Sequence, residues 1–82
     1  MTDFARMTRK SIDSVRFGDA VRKARGQAGL TQEDLADRSG LDRSYVGGIE
    51  RGERNPTLAV IVKLSTGLGI ELDELFEHFG CQ

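Results

Sequence analysis

Apolar residues recur along this chain at intervals of three and four, the spacing of one face of a helix, and nowhere settle into the alternation of a strand. Phe17, Val21, Ala24 and Ala28 share a face and predict a first helix over about 17–28, closed by Gly29. Thr31 stands as an N-cap before QEDLADRS, whose Glu33 and Asp34 occupy the first turn, where the helix dipole favours acids. Gly40 stops that helix after two turns. Asp42 caps a third, with Val46, Ile49, Glu50 and Glu53 on its inward side, and Gly52 ends it. Pro56 and Thr57 open a fourth, LAVIVKLSTGL, with Leu58, Ile61, Leu64 and Leu68 inward. A fifth carries Leu72, Leu75, Phe76 and Phe79, and Glu71 before it is a poor cap. The pattern predicts an all-α domain over 16–80. Residues 1–15 show no cap and no persistent apolar stripe, and read as a flexible or weakly helical basic arm bearing Arg6, Arg9 and Lys10.

Composition narrows what such a domain can do. Eighty-two residues make one small core, and the longest unbroken apolar run, Leu58 to Val62, is far short of the roughly 20 residues that cross a bilayer. The first fifteen residues do not have the apolar centre of a signal peptide, and a single cysteine permits no internal disulfide, so a cytoplasmic setting is expected. No metal-ligand set and no cofactor motif is present. His78 and Cys81 lie close together, but a nucleophile needs a base held in a shaped pocket, and the sequence suggests none; no enzyme is expected. The formal net charge of -1 conceals a gradient. Through Leu30 seven Lys and Arg face three Asp (+4), from Thr31 to Pro56 four face six (-2), and from Thr57 onward one faces four (-3). Such asymmetry suits a molecule that turns one face toward an anion.

The second and third predicted helices form the informative unit. The connection through Gly40 and Leu41 is too short for anything but a sharp turn, Ala36 is small enough for close approach, and Leu41 can plug the corner. This is helix-turn-helix geometry. Thr31-Gln32, Leu35-Ala36, Gly40, Val46, Ile49-Glu50 and Gly52, followed by GERNPTL and LDELF, resemble the helix-turn-helix regulators typified by phage repressors and Cro proteins, over roughly 17–79. Through LDRSYVGGIERGERN the chain is also similar to the controller proteins of restriction-modification systems.

That resemblance implies five helices, a homodimer and a third helix lying in the major groove of double-stranded DNA. Turning the helix by 100° per residue places Ser44, Gly47, Gly48 and Arg51 opposite the buried side, with Arg43 at the N-terminal tip and Tyr45 on a flank. Arg43, Ser44 and Tyr45, with the bare backbone of Gly47 and Gly48, are therefore the expected base contacts. Thr31 and Gln32 at the start of the second helix, together with Arg51, Arg54 and Asn55, are the expected phosphate contacts. Glu50 faces inward and needs a partner, which the resemblance assigns to Arg25 as a structural salt bridge. Leu72, Leu75, Phe76 and Phe79 cannot all be covered by four short helices, so this set is expected to form a dimer interface with some of them buried against a second copy; the alternative is that they only complete the monomer core.

One feature resists the pattern. Two adjacent glycines inside a helix, Gly47 and Gly48, each cost about 1 kcal/mol relative to alanine. On a groove-facing side they would let the backbone approach base edges, and that is the expected reason for them. The function expected is a dimeric regulator of transcription on palindromic operators, with RNA polymerase a further candidate partner. The alternative is a protein-interaction module, such as an antitoxin-like partner-binding protein.

Overall fold

Four short polar side chains, each at the point where the chain turns into a helix, set the architecture. In the computed structural model, which describes residues 11–80 apart from the side chains of 79 and 80, five helices follow one another: α1 (Ile12–Ala28), α2 (Gln32–Ser39), α3 (Arg43–Glu50), α4 (Leu58–Leu68) and α5 (Leu72–Gly80). Ser11, Thr31, Asp42 and Thr57 accept the backbone N–H groups of Ser14, Asp34, Ser44 and Val60, so the first four helices have orphan donors satisfied by their own caps. At α2 the cap is reciprocal, because the Asp34 carboxylate also accepts the Thr31 N–H at 3.0 Å. Helix α5 has no such cap. Instead Glu74 reaches back, and its Oε1 accepts the Glu71 N–H at 2.9 Å.

The turn between α2 and α3 needs a residue in the left-handed region, and Gly40 supplies it with φ +70°. Leu41 then donates its N–H to the Ala36 carbonyl at 2.9 Å and packs its side chain against the core. Helix α2 packs on α3 and α4, and α1 packs on α3, α5 and α4. Phe17, Val21 and Ala24 of α1, Leu35 and Ala36 of α2, Val46 and Ile49 of α3, Leu64 and Leu68 of α4, and Leu75 of α5 meet in a single buried cluster. There is no strand among the described residues.

The expected helices are present, with departures that have physical causes. Helix α1 begins at Ile12 rather than near Phe17, so residues 12–15 belong to a helix and not to an arm; Arg6, Arg9 and Lys10 lie outside the described residues. The early start has a local and a tertiary cause: Ser11, within a stretch read as having no cap, caps the helix through the Ser14 N–H, and a contact farther along the chain supports it. Gly52, at φ +78°, lies directly against Val15, and a Cβ there would fall 2.9 Å from the Val15 Cα. Ala28 is exposed in the last turn of α1, and Glu53, beyond the end of α3, is exposed as well.

Leu58, expected inward, is 69% exposed. Burial in α4 is confined to its second half, at Leu64, Ser65, Gly67 and Leu68. Because LAVIV is apolar on every side, its pattern does not fix a face. Leu75, expected at a dimer interface, is fully buried and completes the monomer's own core, where α5 lies on α1. Leu72 is half-buried and Phe76 more exposed, while Phe79 lies outside the described side chains.

Candidate nucleic-acid interface

Helix α3 is fastened from behind. Val46 and Ile49 are wholly buried, and Glu50 beside them is 4% exposed, so its carboxylate is almost dry. It is held by a fork: Arg25 Nε donates to Glu50 Oε2 at 2.6 Å and Arg25 Nη2 to Oε1 at 3.0 Å. The same guanidinium donates to the Leu30 carbonyl at 2.9 Å, so one side chain joins α1, the α1–α2 turn and α3. Glu50 raises the Arg25 pKa, chiefly through their hydrogen bond, and the cation stays charged at any pH at which the domain would be used.

A third donor completes the site. Gln32 Nε2 donates to Glu50 Oε1 at 2.9 Å, so the half-buried Gln32 amide turns inward to the carboxylate, whereas the sequence suggested that it faces a phosphate. Position alone could not show this, because residue 32 lies at the start of α2 in either case. Only the packing of α2 on α3 brings it to Glu50.

The front of α3 is open. Arg43 and Ser44 are exposed at its N-terminal tip and Tyr45 is half-buried on the flank. Asp42 accepts the Ser44 N–H at 3.1 Å and also takes the Ser44 hydroxyl, which leaves the hydroxyl oxygen as an acceptor toward solvent. The Ser44 hydroxyl bond, with further bonds from the Ser44 and Tyr45 backbone, holds the Asp42 carboxyl below its ordinary value of 3.8. A depressed carboxyl contributes stability above its unfolded pKa and loses it as pH falls through the folded value. The parent should therefore lose melting temperature relative to Asp42→Asn as pH drops below 3.8, whereas near neutrality it should not; thermal melts at pH 6 and pH 3 check this.

Thr31 is exposed and spends its hydroxyl oxygen on the Asp34 N–H at 3.0 Å. Arg51, expected to face a phosphate, is exposed and pairs with Glu53 at 3.1 Å. Asn55 is exposed beside Pro56, where the loop after α3 borders a shallow groove shared with Ser11, Ser14 and Phe76. Gly47 and Gly48 are not bare. Both are buried, with Gln32 and Arg51 side chains over the first and the Arg54 side chain over the second. Sequence reasoning also missed Gly18, whose absent side chain lets α1 touch the last carbonyls of α3. Its signal was a glycine inside the Phe17–Val21 stripe, hidden because the helix was begun at Phe17.

Residues 21–75 match the family model described as helix-turn-helix, which takes in the C-terminal half of α1, all of α2, α3 and α4, and the first turn of α5. The chain belongs to the helix-turn-helix family. Within it, this helix-turn-helix chain is 46% identical over 63 residues to the control protein C.MunI of Mycoplasma, covering 76% of this chain and 85% of that one. It is 57% identical to the restriction-modification controller protein C.AhdI from Aeromonas hydrophila, with a TM-score of 0.78, over 80% of this chain and all of that one. C.Esp1396I, solved bound to a 19 base pair DNA duplex, is 38% identical with a TM-score of 0.80, over 84% of this chain and 92% of its own. No helix among the described residues is long and apolar enough to cross a membrane, and no group of His, Cys, Asp and Glu there could hold a metal ion.

Proposed function

We propose that the chain is a sequence-specific, DNA-binding regulator of transcription that controls a restriction-modification system and acts as a homodimer on an imperfect palindrome. One observation carries the reading: α3 is anchored on one side by Val46, Ile49 and the Arg25–Glu50–Gln32 network, and offers Arg43 and Ser44 on the other. A helix so held can lie in the major groove with its N-terminal residues at base edges. Arg43 is the candidate for guanine O6 and N7, with Ser44 and Tyr45 beside it. Arg51, Arg54 and Asn55 are the candidates for phosphates, together with the N-terminal end of α2 at Thr31, while Gln32 serves the Glu50 carboxylate. The control proteins it resembles, one of them solved on DNA, support the same assignment.

Among the described residues the exposed large apolar side chains are Ile12 and Val15 on α1, Leu58 and Val62 on α4 and Phe76 on α5; for the dimer, Leu58 and Val62 stand one turn apart on one face, at 69% and 45% exposure. Two-fold pairing through that face, with the rim of α5 at Leu72 and Phe76, would bury them. Half-sites would then repeat about 34 Å apart. Repression requires only occupancy of the site; activation would add a contact with RNA polymerase.

Duplexes selected from random DNA should yield a palindrome bound by two chains per site, as sedimentation of the complex would count. Affinity should fall steeply as salt rises from about 50 to 200 mM, through counterion release at the phosphates. Arg43→Ala should lose about tenfold to a hundredfold on the selected site and far less on unrelated DNA. A protein that retains no duplex in the selection would refute the assignment.

A further inference from the structure

The adjacent glycines of α3 are covered by long polar side chains and not by the apolar core. Over Gly48 lies Arg54, a residue beyond the end of the helix that folds back along it. A Cβ on Gly48 would fall 2.9 Å from Arg54 Cγ, 3.4 Å from its Nε and 3.8 Å from its Cδ, and contacts under 3.0 Å are essentially unknown for real Cβ atoms. The aliphatic stem of Arg54 thus occupies the place of a missing side chain. Its guanidinium ends 5.7 Å from the centroid of the Tyr45 ring, within the range of a cation–π contact. Tyr45 and Gly48, three apart, lie on one side of α3, so the arginine crosses the helix surface from one to the other.

We propose that Gly48 is a positioning residue that acts through Arg54: its bare backbone is a saddle that lets the arginine lie across α3, against Tyr45, ready to meet duplex DNA. The inference rests on the reading of this face as a DNA-binding surface, and it replaces direct approach of the helix backbone to DNA as the reason for the glycine. Arginine has much rotamer freedom to lose when it docks on a phosphate or a base. A side chain already seated in a groove and stacked on a ring loses less of it on binding. Alanine at position 48 fills the saddle and drives Arg54 from the ring.

Gly48→Ala should melt no lower than the parent, because alanine is the better helix former and the obstructing atoms belong to a movable side chain. In the free protein, NMR should find the Arg54 γ and δ protons of the parent shifted by the ring of Tyr45, the chain's one tyrosine, and those of Gly48→Ala returned toward unshifted values. On the selected duplex at about 100 mM salt, Gly48→Ala should bind about tenfold more weakly, Arg54→Ala at least as weakly, and the double variant no more weakly than Arg54→Ala alone.

Losses that multiply in the double variant would mean that DNA meets the backbone itself, and would overturn the proposal. So would parent-like affinity in Gly48→Ala, or Arg54 protons that do not move. If Arg54→Ala binds like the parent while Arg43→Ala loses affinity, the saddle is refuted and the DNA-binding function stands. A parent that binds no duplex refutes both.

Discussion

Gly18→Ala is expected to remove at least about 3 kcal/mol from a domain whose whole stability is roughly 4 to 12 kcal/mol. The sign is the reverse of the usual one, since alanine inside a helix ordinarily gains about 1 kcal/mol over glycine. Here α1 lies against the C-terminal end of α3, backbone to backbone. A Cβ at position 18 would fall 2.7 Å from the Glu50 carbonyl oxygen, 2.9 Å from its carbon, and closer still to the Ile49 oxygen. None of these atoms can swing aside as a side-chain end can. Helix α3 would have to shift as a unit, dragging Ile49 and Glu50 from their buried sites. Gly26→Ala supplies the control in the same helix: nothing lies within 4 Å of its Cβ, and it should gain about 0.5–1 kcal/mol. Urea denaturation of the two variants should move the midpoint in opposite directions. A Gly18→Ala domain as stable as the parent would mean that α1 and α3 do not touch as described.

Arg25→Ala should cost about 3–5 kcal/mol, the penalty for stranding a buried charge. The Glu50 side chain is 1% exposed, and removal of Arg25 strips two of its three hydrogen bonds and frees the Leu30 carbonyl. The remaining donor, Gln32, is neutral and cannot balance a carboxylate. Replacing both ends by methionine should cost less than Arg25→Ala, because two apolar side chains leave no charge unpaired. Arg25→Lys should fall between, keeping the charge but losing the fork. A double-mutant cycle read by urea denaturation tests the ordering; an Arg25→Ala protein more stable than the double variant would contradict it. Each folded variant should also bind DNA less well, since the pair joins α3 to α1.

Local chemistry was legible in the sequence and long-range packing was not. Thr31, Gly40 and Asp42 announce the helix-turn-helix because capping and tight turning act over three or four residues, and the expected spacing is realised. The inward position of Glu50 followed from helix periodicity, and its bond to Arg25 spans 25 residues. The start of α1 was missed although part of its signal is local: Ser11 caps the helix through the Ser14 N–H with Asp13 in the first turn, and Val15 packed on Gly52 adds a contact that no local pattern records. Leu58 and Leu75 were each given the wrong surroundings for one reason: periodicity tells which residues share a face, not which of two apolar faces meets a neighbour. The glycine pair was read as bare because a sequence shows what a residue lacks and not which distant side chain fills the space. Arg54 and Gln32 come from opposite directions along the chain to do so.

Since α3 is fixed from behind by Val46, Ile49 and Glu50 and by the close approach of α1 at Gly18, the outward residues at 43 and 44 stand apart from that packing, and Ser44 alone of the two bonds to Asp42. Target preference can therefore drift by exchange at those two positions while the scaffold is left intact. A lineage of such proteins could acquire new operators without passing through unfolded intermediates.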